Sequence, residues 1–296
     1  QAREERSQTR KVEEQWITVG RTKRAKDAHL QEMLQSGTQA STNTVKADIK
    51  IKANKFQTTI ESKHDLKQLS VDIEIAGKGG LPDPKEEPII IISLAFEPNF
   101  KENKTLVLVA KPVRNHNKDV LVFKNEEGML KKFVEIIDAY NPDVITGYNV
   151  NNFDIPYILE RLKENNINRT IGRCKQKIAI SKKIGVEYRN VIVGRVIADV
   201  YKLIKEMQVK TQLAEKGFPK LKRYGLGDVS KEILKEGKLD VSHSEIPKMW
   251  NGSEDDVNRL IDYARQDAIL ALKLLVIKSM LDKFIELSKV SGVLLQ

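Results

Sequence analysis

The stretch Leu69-Ser-Val-Asp-Ile-Glu-Ile-Ala76 alternates apolar and polar side chains, which predicts a β-strand. The glycines and prolines of residues 77–84 then predict a loop. Because alternate side chains of a strand point to the same face, Asp72 and Glu74 share one face and the apolar residues between and beside them share the other. The sequence therefore predicts a strand that carries a pair of acids on one side.

Two further apolar runs predict that this strand belongs to a sheet. Pro88-Ile-Ile-Ile-Ile-Ser-Leu-Ala-Phe96 is apolar enough for a central strand that is buried on both faces, and residues 105–110 predict a third strand. Apolar residues at helical spacing predict a helix over residues 125–140, and Pro142-Asp-Val-Ile-Thr-Gly147 predicts a short strand. The predicted order is β-β-β-α-β.

The second half of the chain adds helices and an extended ribbon. Residues 178–193 alternate around Gly185, which predicts a β-ribbon, and residues 195–199 predict another strand. Apolar residues recur at helical spacing in residues 153–163, 201–207, 226–234 and 254–287. Strands that are followed by alternating helices and strands predict an α/β or α+β fold with a mixed sheet.

The charge of the chain indicates a polyanionic partner. Its 296 residues include 51 Lys and Arg against 41 Asp and Glu, a formal charge of +10, and a basic excess of this size is typical of proteins that bind nucleic acid. With one cysteine, Cys174, and four histidines, an internal disulfide and a Cys/His zinc cluster are excluded. No apolar run approaches the ~18 residues of a membrane span, and the N-terminus lacks a secretory signal.

The acidic pair on the first strand has two interpretations. Asp72 and Glu74 occupy one small volume beside apolar residues, and like charges there favour a bound divalent cation. A strand whose polar face meets solvent shows the same pattern.

Two other places along the chain offer carboxylates. Asp154 follows Asn149 and opens a helix, where either a ligand or an ordinary helix cap fits the sequence. Asp267 lies four residues after Tyr263 on the last helix, so the two side chains share a face. The small residues around Asp267 favour an inward-facing acid, and the alternative is a solvated acid that pairs with Arg265 or Lys273.

Together the three sites resemble the motifs of the DEDDy 3′-to-5′ exonucleases, and most of all the proofreading domain of family B DNA polymerases. The motifs are Asp72-x-Glu74, Asn149-x-x-x-Phe153-Asp154 and Tyr263-x-x-x-Asp267. Residues 147–157, 194–201 and 221–228 also resemble that family. The resemblance implies a ribonuclease H-like mixed β-sheet, flanked by helices and with an inserted β-hairpin.

The resemblance also implies the residues of a metal-dependent nuclease site. The implied catalytic residues are Asp72, Glu74, Asp154, Tyr263 and Asp267. The four acids would hold two divalent cations, Mg or Mn, which prefer oxygen ligands. The phenol of Tyr263 would orient the attacking water.

Asn149 and Phe153 are the residues that the resemblance places beside the substrate. The amide would bond near the terminal nucleotide, and the ring of Phe153 would pack by a base, although a core position fits it equally. Asp199 and Tyr201 are expected to support the site without holding a metal. Candidates for sequence-independent phosphate contacts are Arg161, Lys163 and the basic residues of 175–189.

The expected partners are the single-stranded 3′ end of DNA and the palm, fingers and thumb of a family B polymerase, in cis or as a separate subunit. The family's polymerase signatures, Asp-x-x-Ser-Leu-Tyr-Pro and Tyr-Gly-Asp-Thr-Asp, do not occur in the sequence, so polymerisation is not expected of it. A fragment of a polymerase, a split-gene subunit and a truncated relative all fit. The expected location is the cytoplasm and nucleoid of a prokaryote or the nucleus of a eukaryote, with no membrane involved.

The resemblance places the exonuclease domain in residues 63–296. Residues 1–62 are polar and basic, and we expect a basic arm or the remnant of an N-terminal domain. A solvated tail and an arm that binds nucleic acid remain the two interpretations.

Two other functions compete with a DNA exonuclease. One is a catalytically silent module that binds single-stranded DNA or scaffolds a polymerase, and the retention of all four acids argues against it. The other is an RNA-trimming nuclease, since the same metal chemistry acts on either backbone.

Overall fold

The structure is a computed structural model of the whole chain. The residues that it describes are 66–77, 80–115, 117–209, 214, 217, 219–239, 241–242, 244–276, 281–282 and 285. The expected arm, residues 1–62, lies outside them. The elements below belong to one compact unit, Leu66–Met280.

The described residues form eight strands. These are β1 (Gln68–Ile75), β2 (Ile89–Phe100), β3 (Asn103–Val109), β4 (Val120–Val122), β5 (Val144–Gly147), β6 (Ile180–Ile184), β7 (Glu187–Val191) and β8 (Val196–Asp199). Six of them make one sheet in the order β4-β3-β2-β1-β5-β8, and β6 pairs with β7 in a separate hairpin. Because β1 runs antiparallel to β2 and parallel to β5, the sheet is mixed, as expected.

Helices cover both faces of the sheet. They are α1 (Glu126–Tyr140), α2 (Asp154–Glu164), α3 (Val200–Val209), α4 (Leu226–Ile233), α5 (Ile246–Trp250) and α6 (Glu254–Val276). One core joins β1 and β2 to α1 and α2, and another joins β2 and β3 to α5 and α6. This three-layer arrangement explains why the first eight residues of β2 are all buried. None of the described helices is long and apolar enough to cross a membrane.

The structure adds two elements that the sequence analysis missed. The strand β4 has only three residues, and the helix α5 has only five, so neither is long enough to show a periodic pattern. The helix predicted over residues 254–287 is confirmed as far as Val276. Most of the remainder lies outside the described residues.

Gly147 sets how closely β5 approaches β1 beside the acids. A Cβ atom at this position would lie 2.5 Å from the carbonyl oxygen of Val71, which is shorter than any real contact allows. Only glycine permits β5 to approach β1 this closely. The chain therefore passes beside Asp72 where β5 ends.

A buried ion pair ties α1 and α2 to the loop that precedes β2. Glu126 accepts hydrogen bonds from Arg161 Nη2 at 2.5 Å and from the backbone N–H of Ile89 at 2.7 Å. Arg161 also donates through Nη1 to the carbonyl of Pro84 at 3.0 Å. Both charged side chains are buried, so each depends on the other for compensation. Arg161 is therefore committed to the scaffold and is not the phosphate contact that was expected.

We predict that Arg161→Met lowers the free energy of unfolding by about 3–5 kcal/mol, because it leaves the Glu126 carboxylate buried without its cation. Urea denaturation measures this change. The double variant Glu126→Gln/Arg161→Met should be more stable than Arg161→Met alone, since the amide is neutral and still accepts from Ile89. Lys131→Met is the control, because Lys131 forms an exposed pair with Glu127 and should cost less than ~1 kcal/mol. Equal effects of Arg161→Met and Lys131→Met would contradict the prediction.

Candidate active site

Three carboxylates from two distant parts of the chain meet between β1 and α6. Oxygen atoms of Asp72, Glu74 and Asp267 all lie within 4.8 Å of one another. Glu74 and Asp267 are each only 5% exposed, which excludes the solvent-facing interpretation of both. Arg265 and Lys273, the surface partners considered for Asp267, instead pair with Asp119, Asp262 and Glu236.

Asp154 lies against the same strand. Its Oδ1 accepts a hydrogen bond of 3.1 Å from the backbone N–H of Ile73, between Asp72 and Glu74. Asp154 is the first residue of α2, and the position before it, Phe153, makes no capping hydrogen bond with its side chain. The carboxylate of Asp154 is thus directed to β1, and all four predicted acids lie in one region.

Asp199 organises the loop between β5 and α2. Its Oδ1 accepts from the backbone N–H of Asn149, and its Oδ2 from that of Asn151, both at 3.1 Å. Oδ1 also accepts from the N–H of Tyr201 at 3.0 Å. Charge-assisted bonds of this kind fix the loop backbone that leads into Asp154. This agrees with the expectation that Asp199 supports the site.

Asn149 and Phe153 occupy this loop in different ways. Asn149 adopts a left-handed backbone with φ of 63°, a conformation that asparagine tolerates better than most residues. Its side-chain oxygen accepts from Asn152 Nδ2 at 3.3 Å. Phe153 packs partly against the core and against Tyr157, with 5.8 Å between ring centroids. A contact of either side chain with a substrate stays a prediction.

Tyr263 and Lys238 complete the cluster. Tyr263 lies one turn before Asp267 on α6, as expected, and the charge of Asp267 acts on its phenol. Lys238 Nζ lies 2.5 Å from Asp267 Oδ2 and 4.4 Å from the centroid of the Tyr263 ring. Lys238 was not among the site residues expected from the sequence. It is one of 51 basic residues and precedes no recognisable element, so only the folding of its loop onto α6 identifies it.

The crowding of the acids changes their protonation. Burial, with the nearby charge of Asp267, raises the pKa of Glu74 to about 8. Burial also raises the pKa of Asp154 to about 7, and that of Asp72 rises through burial and the charge of Asp267. The ammonium of Lys238 partly opposes these shifts for Asp72 and Glu74. Burial and Asp267 raise the pKa of Tyr263 above its usual range, so this phenol stays protonated.

The cluster has the properties of a divalent cation site. Its donors are carboxylate oxygens, which suit hard cations such as Mg²⁺ and Mn²⁺. Asp72 Oδ2 is buried and has no hydrogen-bond partner within the described part of the chain, although buried acceptors are nearly always paired. A cation would satisfy this atom and offset the excess negative charge. The residues present therefore fit the expected metal ions.

We predict that the metal-free chain loses stability as the pH rises from about 5 to about 8. The folded chain holds protons on acids such as Glu74 and Asp154 that the unfolded chain has already released, so the free energy of unfolding falls by up to ~1.4 kcal/mol per pH unit for each such proton. Urea denaturation in EDTA at both pH values measures this fall. Mg²⁺ should restore more stability at pH 8 than at pH 5, because it competes with those protons.

The matched variants are Glu74→Gln, at the cluster, and Glu135→Gln, on the exposed surface of α1. Glu74→Gln should reduce the loss of stability with pH, because the amide does not ionise. Glu135→Gln should leave it unchanged. If the free energy of unfolding depended equally on pH in both variants, the loss of stability could not be assigned to the carboxylate cluster.

The chain matches proteins of one family. The family model for the exonuclease domain of DNA polymerase family B matches residues 12–226. The catalytic subunit of DNA polymerase delta from Dictyostelium discoideum is 33% identical over 265 residues, which cover 87% of this chain and 24% of that protein. A DNA polymerase from Methanocaldococcus jannaschii is 32% identical over 209 residues, which cover 71% of this chain and 11% of that protein. The chain thus spans a quarter or less of the length of these relatives.

A solved structure shows the same fold. The family B DNA polymerase from the hyperthermophilic archaeon Pyrobaculum calidifontis superposes with a TM-score of 0.61 at 23% identity, over 79% of this chain and 27% of that one. This confirms the expected ribonuclease H-like fold, with helices on both faces of a mixed sheet and an inserted β6–β7 hairpin. On the evidence of the family match and its relatives, the chain belongs to the exonuclease-domain family of the family B DNA polymerases.

Proposed function

We propose that this chain is a metal-dependent 3′-to-5′ exonuclease that removes nucleotides from the 3′ end of DNA and proofreads for a family B polymerase. The proposed domain is residues 63–296. The proposed partners are the single-stranded 3′ end of DNA and the palm, fingers and thumb of a polymerase, in cis or in trans.

The observation that carries the proposal is the convergence of the four acids. Asp72 and Glu74 come from one strand, Asp154 from the start of α2 and Asp267 from α6. Carboxylate oxygens of Asp72, Glu74 and Asp267 nevertheless lie within 4.8 Å of one another. Placing like charges together in a buried cluster costs free energy. A cluster that costs stability indicates a function, and the carboxylate oxygens suit the binding of divalent cations.

The four acids would hold two divalent cations, Mg or Mn. When bound, these ions supply positive charge that lowers the pKa of an attacking water and offsets the charge on the departing 3′-oxygen. Asp72 and Glu74 would hold the ions from the strand β1. Asp199 holds the loop that presents Asp154, so the fourth ligand is as well fixed as the other three.

Tyr263 would orient the attacking water. It lies one turn from Asp267 on α6, and burial with the charge of Asp267 raises its pKa and keeps the phenol neutral. A neutral phenol both donates and accepts a hydrogen bond, whereas it is too weak a base to remove a proton near neutral pH. Orientation of a nucleophile is a large part of catalysis in reactions where no covalent intermediate forms.

Lys238 would position Tyr263 and Asp267. Its ammonium bonds to Asp267 and lies over the Tyr263 ring, a cation–π arrangement that stabilises both neighbours. It also offsets part of the negative charge of the cluster when no metal is bound. We therefore add Lys238 to the residues on which the activity depends.

The test is the shortening of single-stranded oligodeoxynucleotides labelled at the 5′ or the 3′ end. We expect stepwise loss from the 3′ end with Mg²⁺ and none with EDTA. The variant Asp72→Ala/Glu74→Ala should reduce the rate by at least about 100-fold, the effect of removing one preorganised group from an active site. RNA oligomers of the same sequence show whether the substrate is DNA.

The control is Glu127→Ala/Glu135→Ala, which removes two exposed acids of α1 and should retain full activity. Oligonucleotide binding without shortening, under both Mg²⁺ and Mn²⁺, would overturn the proposal. In that case a catalytically silent DNA-binding module would be the better account. Faster shortening of RNA than of DNA would overturn the choice of substrate.

We predict that Lys238→Met lowers kcat about 10- to 100-fold, as the loss of a group that orients metal ligands commonly does. Steady-state kinetics with a single-stranded oligonucleotide measures it. Lys273→Met is the matched control, because Lys273 also pairs with a carboxylate, Glu236, but at an exposed position. An equal kcat in the two variants would remove Lys238 from the site.

A further inference from the structure

A second charged site lies apart from the carboxylate cluster. A cavity of about 400 Å³ opens where the end of α1 meets the segments that precede β5 and β8. Its lining residues are Asp138, Asn141, Gly172, Arg173, Lys175 and Arg195. Three of these six residues have cationic side chains. Neither the catalytic cluster nor the proposed mechanism uses them.

Arg195 is the central group of this cavity. It is only 9% exposed, and it makes no ion pair with a carboxylate among the described residues. Its Nε donates to the carbonyl of Ile171 at 2.9 Å, and its Nη1 donates to Asn141 Oδ1 at 2.9 Å and to the carbonyl of Pro142 at 2.5 Å. Nη2 makes no hydrogen bond with any described residue. A buried guanidinium thus retains two N–H donors beside an open cavity.

The two arginines lie close together. Arg173 Nε donates to the same Asn141 oxygen as Arg195, at 3.1 Å. Arg173 is paired with Asp143, and Lys175 with Asp138, so Arg195 is the one of these three cations that has no ion-pair partner among the described residues. Burial and the charge of Arg173 lower the pKa of Arg195 to about 10. The cavity therefore has an excess of buried positive charge, and an anion would offset it.

The backbone holds this arrangement in place. Gly194 has φ of 82°, and a Cβ atom there would lie 2.8 Å from Cβ of Arg173. Glycine at this position lets Arg173 pack directly against the segment that carries Arg195. Arg173 Nη1 then donates to the Gly194 carbonyl at 3.1 Å. The two guanidinium groups are thus fixed before any ligand arrives, which reduces the entropy cost of binding.

The site lies at the edge of the sheet opposite the acids. Arg195 precedes β8, and Asn141 precedes β5, so both are at the beginnings of these parallel strands. Gln68 pairs with Val144 at this edge, whereas Glu74 lies six residues further along β1. At a rise of ~3.3 Å per residue, the cavity is roughly 20 Å from the catalytic cluster. It is a separate site.

We propose that this cavity binds a phosphate group through Arg195 Nη2 and Lys175. Phosphate is the anion that the groups fit, because the free Nη2 of Arg195 and the ammonium of Lys175 can donate to different oxygen atoms of one tetrahedral anion. The phosphate comes either from the backbone of a polynucleotide or from free phosphate. The polynucleotide source rests on the proposed DNA substrate, whereas binding of phosphate itself does not.

The test is a titration of the ¹⁵N-labelled full chain with inorganic phosphate in EDTA, followed by two-dimensional NMR. We expect saturable shifts of the Gly172 and Gly194 amide signals. An oligothymidylate of about 16 nucleotides, present at saturation, should abolish the phosphate-dependent shifts if the ligand is the DNA backbone. An oligothymidylate of about 4 nucleotides should not abolish them, because it is too short to reach from the carboxylate cluster to the cavity. These two lengths bracket the usual site sizes of folds that bind single strands.

Three variants separate the proposal from a merely structural role. Arg195→Lys keeps the charge but loses the free Nη2 donors, and should weaken phosphate binding at least 10-fold. The Lys175 side chain is half exposed, so Lys175→Gln removes no buried group. This variant should weaken phosphate binding about 3-fold or more, even if Arg195→Lys fails to fold. Lys118→Gln is the matched control, because Lys118 lines another cavity and should leave binding unchanged.

Each outcome decides the proposal. Saturable shifts that Lys175→Gln weakens and Lys118→Gln does not would support it, with either source of phosphate. Shifts that do not saturate, or that both lysine variants weaken equally, would overturn it and leave a structural arginine. None of these outcomes depends on nuclease activity, so a failure of this proposal is distinguishable from a failure of the proposed exonuclease.

Discussion

Electrostatic repulsion among buried acids is the constraint on which the site depends. Asp72, Glu74 and Asp267 meet between a strand that is covered on both faces and a helix that packs on it. Water is largely excluded from this space, so the repulsion is stronger than at the surface. Among the described residues, the ammonium group of Lys238 offsets part of this repulsion, while burial and the repulsion raise the pKa of Glu74. A metal-free cluster of this kind is a strained arrangement that divalent cations relieve.

Close packing makes that arrangement possible. Ala264 and Ala268 are fully buried on α6, and Ala268 packs against Ala95 of β2. Small side chains let the helix axis approach the sheet, which brings Asp267 to the acids of β1. Gly147 has the same effect on the other side of β1. The cluster is thus a consequence of short distances between elements as much as of the acids themselves.

The two edges of the sheet differ in charge. The clustered carboxylates lie where β1, β5 and β8 end, and Arg173 and Arg195 lie where β5 and β8 begin. The loops at both edges are anchored by charged side chains that bond to backbone groups, Asp199 at one and Arg195 at the other. Such bonds hold irregular backbone that has no strand or helix partner. The scaffold therefore fixes opposite charges about one strand length apart.

Much of the molecule follows from local pattern. The alternation of β1, the apolar run of β2 and the periodicity of α1 and α6 are visible in the sequence because each element buries a defined face. The four acids and Tyr263 were identified from their spacing and their resemblance to one family. By contrast, β4 and α5 have too few residues to show a period. Elements of this size form where the surrounding structure allows them.

The fold class, the family and the grouping of the acids into three motifs can be read from the amino-acid sequence. That Asp72, Glu74 and Asp267 share one volume, that Lys238 joins them and that Arg161 is a scaffold residue is visible only in the folded chain. The physical reason is that periodicity records which face of an element is buried, since burial acts along the whole element. A single contact between side chains far apart in the chain, such as Lys238 with Asp267, leaves no periodic trace. This contact forms only when packing brings the loop that carries Lys238 against α6.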